Sequence, residues 1–139
     1  MILSEKTEVI LCIGSNCGDR VDNVSAGLEW LSGILRDFRH SPIYATPDCH
    51  GGMREYMNAV ASGRTDKTPS ELERICKDYE TACGRDSAAR ALGDVPVDID
   101  IVVYGGAILR KRDYGSEFFQ KGFLSLSASL AVQHPHCTS

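Results

Sequence analysis

The stretch Pro96-Val97-Asp98-Ile99-Asp100-Ile101-Val102-Val103-Tyr104-Gly105-Gly106 has the composition of a buried β-strand. Its β-branched residues favour extended structure, a proline is tolerated at the first position of a strand, and the glycine pair indicates that a turn follows. Because successive side chains of a strand point to opposite faces, Asp98 and Asp100 share one face and their apolar neighbours occupy the other. The sequence therefore predicts two carboxylates held a few ångströms apart.

The pairing of these two acids is the first functional signal in the chain. Aspartate is depleted in strands, and two like charges on one face repel unless a cation, an arginine or a shared proton lies between them. We therefore expect Asp98 and Asp100 to bind a metal ion or another positive group. The alternative is a solvated polar face on a half-exposed strand, which the apolar end of the stretch disfavours.

Length and charge limit the class of protein. The chain has 139 residues, the usual size of one domain, so we expect a single domain over residues 1–139. Its 15 basic and 19 acidic residues give a net charge of −4, and it has no basic stripe with interleaved aromatic residues. This pattern disfavours nucleic acid and anionic membranes as partners and leaves small-molecule chemistry open.

The chain ends and the cysteines carry expectations about location and redox state. Residues 1–8 hold acids where a signal peptide has basic and apolar regions, and no apolar run approaches membrane-spanning length, so we expect a cytoplasmic protein. The six cysteines form no C-x-x-C pair and are expected to be free thiols. His134-Pro135-His136-Cys137 has metal-ligating residue types, but its position favours a frayed tail over a metal site.

Before the strand predicted at residues 96–106, the chain alternates strand and helix patterns. An apolar strand is predicted over residues 8–13. Apolar residues at spacings of three and four then predict a helix of about 13 residues that starts near Val21. A second strand is predicted over residues 38–45, and a third over residues 56–63 antiparallel to it.

The remaining elements complete the predicted order. The run from Thr68 to Glu71 forms a capping box with a proline at the first helical position, and the helix that follows reaches Gly84. Residues 85–94 form a polar connection, and residues 107–109 a short returning strand. The segment after Phe123 fits a strand and a helix equally well. This order predicts an α+β fold, a ferredoxin-like βαββαβ sandwich with helices packed on an antiparallel sheet.

Two local motifs have weaker functional signals. The turn Gly14-Ser15-Asn16-Cys17-Gly18 opens a helix and so has the form of a phosphate cradle, but it lacks the Walker lysine and the full dinucleotide fingerprint. Tyr56 and Asn58 share one face of their strand. An aromatic ring beside an amide can stack on and hydrogen-bond a planar heterocycle, while ordinary cross-strand packing explains the pair equally well.

Taken together, the motifs resemble those of the 6-hydroxymethyl-7,8-dihydropterin pyrophosphokinase family, whose members transfer pyrophosphate from ATP to a pterin in folate biosynthesis. The resemblance covers nearly the whole chain, and its motifs occur in the family's order. They are Gly14-Ser15-Asn16, Tyr44-Ala45-Thr46-Pro47, Tyr56-Met57-Asn58-Ala59, Glu80 with Cys83-Gly84-Arg85, Asp98-Ile99-Asp100-Ile101 before Tyr104-Gly105, and Gly122-Phe123.

The resemblance implies a role for each of these motifs. Asp98 and Asp100 would bind two Mg²⁺ ions that bridge the phosphates of ATP, the co-substrate. Tyr56 and Phe123 would sandwich the pterin ring, and Lys121 would supply a catalytic positive charge. The polar edge of the pterin would be read by Asn58 and the segment Thr46-Pro47-Asp48, and the ATP site would be lined by Glu80, Arg85 and Ile101.

The chain also departs from the family pattern. Gly93-Asp94-Val95 stands where the family has Gly-Pro-Arg, so an arginine that faces the phosphates is absent. A family histidine expected shortly before Gly122 has no counterpart, and Lys121 replaces an arginine, which keeps the charge and loses the bidentate fork. Candidate substitutes for the lost charge are Arg90, Arg110, Lys111, Arg112 and Lys121.

Three functional hypotheses follow. The first is an ATP- and Mg²⁺-dependent pterin pyrophosphokinase that uses two small molecules, with no nucleic acid or membrane partner, as a monomer or weak homodimer. The alternative is a catalytically weakened or inactive relative that binds a nucleotide or pterin as a sensor or partner domain. A third is a bare ferredoxin-like module that binds a divalent cation through Asp98 and Asp100.

Overall fold

The computed structural model of the chain describes residues 7–47 and 54–133, with side chains as far as residue 126. Their elements, in chain order, are β1 (Thr7–Ser15), α1 (Arg20–Ile34), β2 (Arg36–His40), β3 (Tyr44–Thr46), β4 (Tyr56–Thr65), α2 (Pro69–Ala82), α3 (Ser87–Leu92), β5 (Asp98–Tyr104), β6 (Ala107–Ile108), α4 (Lys111–Tyr114) and α5 (Glu117–Gln133).

The described strands form one six-stranded antiparallel sheet in the order β2-β4-β1-β5-β6, with β3 also paired to β4. The apolar strand β1 lies in the centre, and the two helices that follow β1 and β4 return the chain across the sheet. This arrangement confirms the predicted α+β ferredoxin-like fold. The strand predicted at residues 96–106 is β5, which lies beside β1 and not at the centre of the sheet. The turn after it is made by Gly105 and Gly106, which have positive φ angles of 58° and 85°.

The predicted second strand at residues 38–45 is wrong in one respect, because the structure has two short strands there. β2 and β3 pair with different parts of β4, and residues 41–43 separate them. Pro42 lacks the N–H that a continuous ladder requires. Ser41 compensates locally, since its N–H donates to the carbonyl oxygen of Val60 (2.8 Å) and its hydroxyl oxygen accepts from the Val60 N–H (3.0 Å).

Helices cover both faces of the sheet, and each face has its own core. Alternate residues of β1, including Leu11 and Ile13, pack with α1 and α2 on one face, where Ile99 and Ile101 of β5 join them. On the other face Phe119 and its neighbours on α5 pack against Val102 and other strand residues. The sequence left α5 undecided between strand and helix; the structure shows a helix.

Of two helices in the second half of the chain, α2 was predicted from the sequence and α3 was not. The capping box of α2 is present, with the Glu71 N–H donating to the Thr68 hydroxyl (3.2 Å) and the Thr68 N–H to the Glu71 carboxylate (2.9 Å). The predicted polar connection at 85–94 contains the unpredicted helix α3. Asp86 caps α3, and Gly93 ends it with a φ of 76°.

The described residues also bear on the cysteine and membrane expectations. Cys12, Cys17, Cys76 and Cys83 are free thiols, as predicted; Cys49 and the His134–Cys137 segment lie outside the described residues. Within the described helices, none combines the length and apolarity needed to cross a bilayer.

Candidate active site

The strand register brings the candidate ligand-binding residues into one row. Gly14 of β1 lies opposite Asn58 on one side and opposite Asp98 on the other. In the next row, Cys12 lies opposite Asp100. Directly opposite residues in an antiparallel sheet share a face, so the amide of Asn58 and both carboxylates point to the same side. Only the hydrogen atom of a glycine stands between Asn58 and Asp98.

A cleft opens above this row. It encloses about 600 Å³, including the space at its mouth. Its walls come from β1, the β3 end, β4, β5 and the segment after β6. The lining residues are Cys12, Ile13, Gly14, Thr46, Pro47, Tyr56, Asn58, Asp98, Asp100, Arg110, Asp113 and Phe118.

Three basic side chains surround the paired carboxylates. The Asp98 carboxylate accepts a hydrogen bond from Nη1 of Arg85 and lies 3.8 Å from Nζ of Lys77. The Asp100 carboxylate lies 3.5 Å from Nζ of Lys77 and 3.8 Å from Nη1 of Arg110. The carboxylates are therefore compensated by positive charge inside the protein.

Beneath this cluster, the carboxylate of Glu80 is buried, with 2% of the residue exposed. Its Oε2 accepts from the N–H of Ile99 (2.7 Å) and from Nζ of Lys77 (3.1 Å), and its Oε1 accepts from Nη1 of Arg85 (2.9 Å). Glu80 thus joins helix α2 to strand β5. It positions the basic residues of the cluster and does not itself line the cleft.

The environment separates the pKa values of the two aspartates. Burial, together with the charge of Asp98, raises the pKa of Asp100 to about 7. Burial also favours protonated Asp98, but a hydrogen bond from Asp100 and the charges of Arg85 and Lys77 outweigh it and lower the pKa of Asp98. Burial lowers the pKa of Lys77, whereas the three nearby carboxylates raise it to a net value above that of a free lysine.

The donor set fits a magnesium ion. Mg²⁺ takes oxygen ligands, usually one or two carboxylates completed by water and substrate phosphates. Asp98 and Asp100 supply two carboxylates whose side chains are 30% and 14% exposed toward the cleft. Among the residues the structure describes, no cluster of three or more His, Cys, Asp or Glu side chains forms a complete metal cage. Two carboxylates fit a metal ion whose other ligands are oxygen atoms of water or of a bound molecule.

The opposite part of the cleft is suited to a polar planar group. Nδ2 of Asn58 donates to the hydroxyl of Thr46, and both residues are buried, with 7% and 8% exposed. That bond fixes the amide orientation and leaves its Oδ1 beside Gly14, where an added Cβ would lie 2.5 Å away. Tyr56 lines the cleft together with Asn58, as the sequence predicted for two residues on one face of a strand, and Pro47 lies in the same lining.

The aromatic residue that faces the cleft from α5 is Phe118, which sequence reasoning missed. Phe123 follows five residues later and so lies roughly 140° around the helix. It stacks on Phe119, with ring centroids 5.5 Å apart, and contributes to the core under α5. Phe123 is therefore not among the residues that line the cleft with Tyr56. The carbonyl of Phe118 accepts a hydrogen bond from the Tyr44 hydroxyl, which anchors this turn of the helix.

The basic candidates are dispersed. Of the five proposed substitutes for the missing arginine, Arg110 lines the cleft, where it also pairs with Asp113. Lys121 lies over the Tyr44 ring, with Nζ 5.4 Å from its centroid, in a neighbouring pocket with Thr46 and Phe118. The other three are exposed and are absent from the cleft lining; they are Arg90, Lys111 and Arg112.

Ile101, another predicted site residue, differs from Asp98 and Asp100 in position. The side chain of Ile101 lies on the other face of β5, 5% exposed in the core beneath α1 and α2, because strand side chains alternate. Asp48 lies outside the described residues, so its contact with a ligand stays a prediction.

Asn16, at the end of the Gly14-Ser15-Asn16 motif, hydrogen-bonds to the segment that leads into β5. Nδ2 of Asn16 donates to the Gly93 carbonyl (3.0 Å), and Oδ1 accepts from the Val95 N–H (2.7 Å). The Asn16 N–H in turn donates to the Val95 carbonyl (2.9 Å). Asp94, the extra acid in this segment, accepts a hydrogen bond from Arg54. The departure from the family pattern at 94–95 is thereby accommodated without an unpaired acid.

Lys77 was also missed by sequence reasoning, and the available signal was local. Lys77 and Glu80 are three residues apart on the predicted helix, which is the spacing of an ordinary surface pair. That α2 packs against β5, and so brings Lys77 to both aspartates, follows only from the tertiary structure.

The fold and cleft define a class: an α+β ferredoxin-like domain with a carboxylate pair and a polar aromatic pocket on one face of its sheet. Comparison with known proteins is more specific. The family described as 7,8-dihydro-6-hydroxymethylpterin-pyrophosphokinase (HPPK) matches residues 10–139. The chain belongs to this family, as the sequence motifs predicted.

Named relatives agree with that assignment. A folate synthesis bifunctional protein of Arabidopsis thaliana is 33% identical over 104 residues, which cover 70% of this chain and 21% of the relative. The 2-amino-4-hydroxy-6-hydroxymethyldihydropteridine pyrophosphokinases of Aquifex aeolicus and Porphyromonas gingivalis are 29% and 33% identical, covering 75% and 69% of this chain. The chain thus spans about a fifth of the plant relative, and 65% and 68% of the two bacterial ones.

Glu80→Gln tests the buried carboxylate. An amide has one acceptor oxygen in place of two, so the variant leaves either the Ile99 N–H or Arg85 without its acceptor. Breaking such a buried network should lower the free energy of unfolding by about 3 kcal/mol, measured by urea denaturation. Glu73→Gln, at an exposed position of the same helix, is the control and should change stability by less than about 0.5 kcal/mol. Equal stability of the two variants would contradict this role of Glu80.

Proposed function

We propose that the protein transfers pyrophosphate from ATP to the hydroxymethyl group of 6-hydroxymethyl-7,8-dihydropterin and releases AMP. The observation that carries the proposal is the row Asn58-Gly14-Asp98 across β4, β1 and β5. An amide suited to a heterocycle and a carboxylate suited to a metal lie two strand spacings apart, about 10 Å. A pterin on one side and a triphosphate on the other would meet above Gly14. Family membership favours transfer over the alternative of an inactive relative.

The pterin part of the cleft would be formed by four elements. Asn58, oriented by Thr46, would hydrogen-bond the polar edge of the ring, with the backbone near Pro47 and Asp48 completing that contact. Tyr56 would stack on one face of the ring. Phe118, which lines the cleft from α5, is the aromatic residue placed to contact the other face.

The ATP part would be formed by the charged cluster. Asp98 and Asp100 would hold Mg²⁺, two ions in this proposal, with phosphate oxygens completing the coordination. When bound, Mg²⁺ neutralises charge on the phosphates and orients them for displacement. Arg110 lines the cleft and Arg85 hydrogen-bonds to Asp98, which supports the proposal that both guanidinium groups would contact phosphate oxygens.

The reaction itself requires positioning and charge neutralisation from the protein. The hydroxymethyl oxygen forms a bond to the β-phosphorus, while the bond from that phosphorus to the oxygen bridging the α-phosphate breaks. AMP leaves with the bridging oxygen, and the hydroxyl proton passes to solvent. No covalent intermediate is needed, because holding the two substrates in line converts the step into an intramolecular one.

The proposal includes several expectations from the sequence. Residues 1–139 form one domain, the protein is a monomer or weak homodimer in the cytoplasm, and nucleic acid and membranes are not partners. Lys121 contributes positive charge near the pterin part of the cleft, where it lines the pocket beside Thr46.

Asp98→Asn tests the metal-binding role. The variant keeps the shape of the side chain and removes the charge that would hold Mg²⁺, so AMP formation from ATP and hydroxymethyl-dihydropterin should fall roughly 10³-fold. Asp66→Asn, at an exposed site, should leave the rate unchanged. Wild-type activity in Asp98→Asn would show that Asp98 does not bind the metal ion required for the reaction. Tight ATP or pterin binding by a wild-type protein that forms no AMP would instead support the inactive relative.

Gly14→Ala tests the row on which the proposal depends. The added Cβ would lie 2.5 Å from Oδ1 of Asn58, so the amide must rotate out of its bond to Thr46. Affinity for 6-hydroxymethylpterin, measured by fluorescence titration, should fall about tenfold. Gly33→Ala is the matched control, because an added Cβ there meets no atom within 4 Å. Unchanged pterin affinity in Gly14→Ala would show that Asn58 does not read the ligand.

Phe118→Ala and Phe123→Ala separate the two candidate aromatic contacts. Loss of the ring that faces the cleft should raise the KM for the pterin about tenfold. Phe123→Ala should lower the melting temperature, because it removes a ring from the cluster under α5, and should leave that KM within about twofold. The reverse pattern would indicate that α5 repacks on binding and that Phe123 pairs with Tyr56.

A further inference from the structure

Lys77 occupies the space between the carboxylates. Its Nζ lies 3.1 Å from Oε2 of Glu80, 3.5 Å from Oδ1 of Asp100 and 3.8 Å from Oδ1 of Asp98. It also donates to the carbonyl oxygen of Ile99 at 3.3 Å. One ammonium group therefore contacts the buried carboxylate of Glu80 and lies within 4 Å of both candidate metal ligands.

Cations of the protein compensate the carboxylates of this cluster in part, and one of them, Arg110, is shared with Asp113. Glu80, Asp98 and Asp100 provide three carboxylates, and three cations surround them: Lys77, Arg85 and Arg110. A divalent ion held by Asp98 and Asp100 would share those carboxylates with the ammonium group, which lies within 4 Å of both. Like charges that share ligands repel strongly inside a protein, so the metal and the ammonium compete for the same carboxylates.

We propose that Lys77 is a positioning residue that holds the two aspartates together in the nucleotide-free protein and makes tight metal binding depend on nucleotide. The part concerning nucleotide rests on the proposed function. A metal ion that binds alone must displace the ammonium from its carboxylates with no compensation. A metal ion that binds with a triphosphate brings an anion to which the displaced ammonium can turn.

The three cations differ in their freedom to make this exchange. Arg85 is held by Glu80 and Asp98, its side chain is 22% exposed, and its Nε is buried without a hydrogen-bond partner. Lys77 has a side chain 41% exposed, and its four-carbon stem carries three donors that can be redirected. Arg110 is tied to Asp113. Lys77 is therefore the cation that can leave the carboxylates without breaking a guanidinium network.

Binding of Mn²⁺ alone, followed by electron paramagnetic resonance, tests the first part. Lys77→Met removes the competing charge and should tighten Mn²⁺ binding at least about tenfold relative to wild type. Lys77→Arg keeps the charge and should bind Mn²⁺ within about threefold of wild type. Lys67→Met, in the segment before α2, removes a charge that pairs with the exposed Asp66 and should match wild type. Asp98→Asn should abolish binding, which locates the ion.

The coupling between metal and nucleotide tests the second part. The ratio of Mn²⁺ dissociation constants without and with α,β-methylene ATP measures that coupling, and it must be the same from either ligand's side. The ratio should be large in wild type and at least about tenfold smaller in Lys77→Met. A lysine that only stabilises the fold would lower the melting temperature and leave this ratio unchanged, which would overturn the inference.

A second measurement covers the case in which Lys77→Met fails to fold. In wild-type protein labelled with ¹⁵N-lysine, the Nζ resonance of Lys77 should shift when Mg²⁺ and α,β-methylene ATP are added together. An unchanged resonance would overturn the inference. Neither measurement requires turnover. A protein that shows the expected Mn²⁺ behaviour and forms no AMP would refute the proposed function and leave the role of Lys77 between the aspartates intact.

Discussion

The buried carboxylate of Glu80 is the interaction on which the site depends. It lies between helix α2 and strand β5, and one of its oxygens accepts the N–H of Ile99, the residue between the two aspartates. Its other oxygen holds Arg85 against Asp98. Because a buried charge is costly unless every lone pair is used, this residue joins helix, strand and cation in one geometry. The fold and the charge balance of the cleft are therefore coupled.

The central strand β1 positions the residues of the other half of the cleft, around Asn58. β1 lies between β4 and β5, and its register sets which residues of those strands face each other across Gly14. A slip of one residue would send Asn58 to the opposite face of the sheet. The hydrogen bonds from the Asn16 side chain to Gly93 and Val95 then fix the segment that enters β5. Both halves of the site thus depend on one strand and the turn that ends it.

The departures from the family pattern have physical consequences that the structure makes specific. Asp94 accepts a hydrogen bond from Arg54, so the acid that replaces a neutral residue is compensated locally. Val95 stands where the family has an arginine, and Arg110 is the substitute candidate that lines the cleft. Lys77 adds a positive charge beside the same carboxylates. The balance of positive charge has shifted from the loop before β5 to α2 and the segment after β6.

The sequence by itself determined the order of β1, α1, β4, α2 and β5, the capping of α2, the shared face of Asp98 and Asp100, and family membership, because propensity, strand alternation and motif order are local properties. It left α5 undecided, since its apolar spacing fits two periodicities, and it missed Phe118, whose direction depends on how that helix packs. It also missed Lys77, which reaches the aspartates only because α2 lies on β5. Contacts between elements distant in sequence were decided by tertiary packing, which no local pattern encodes.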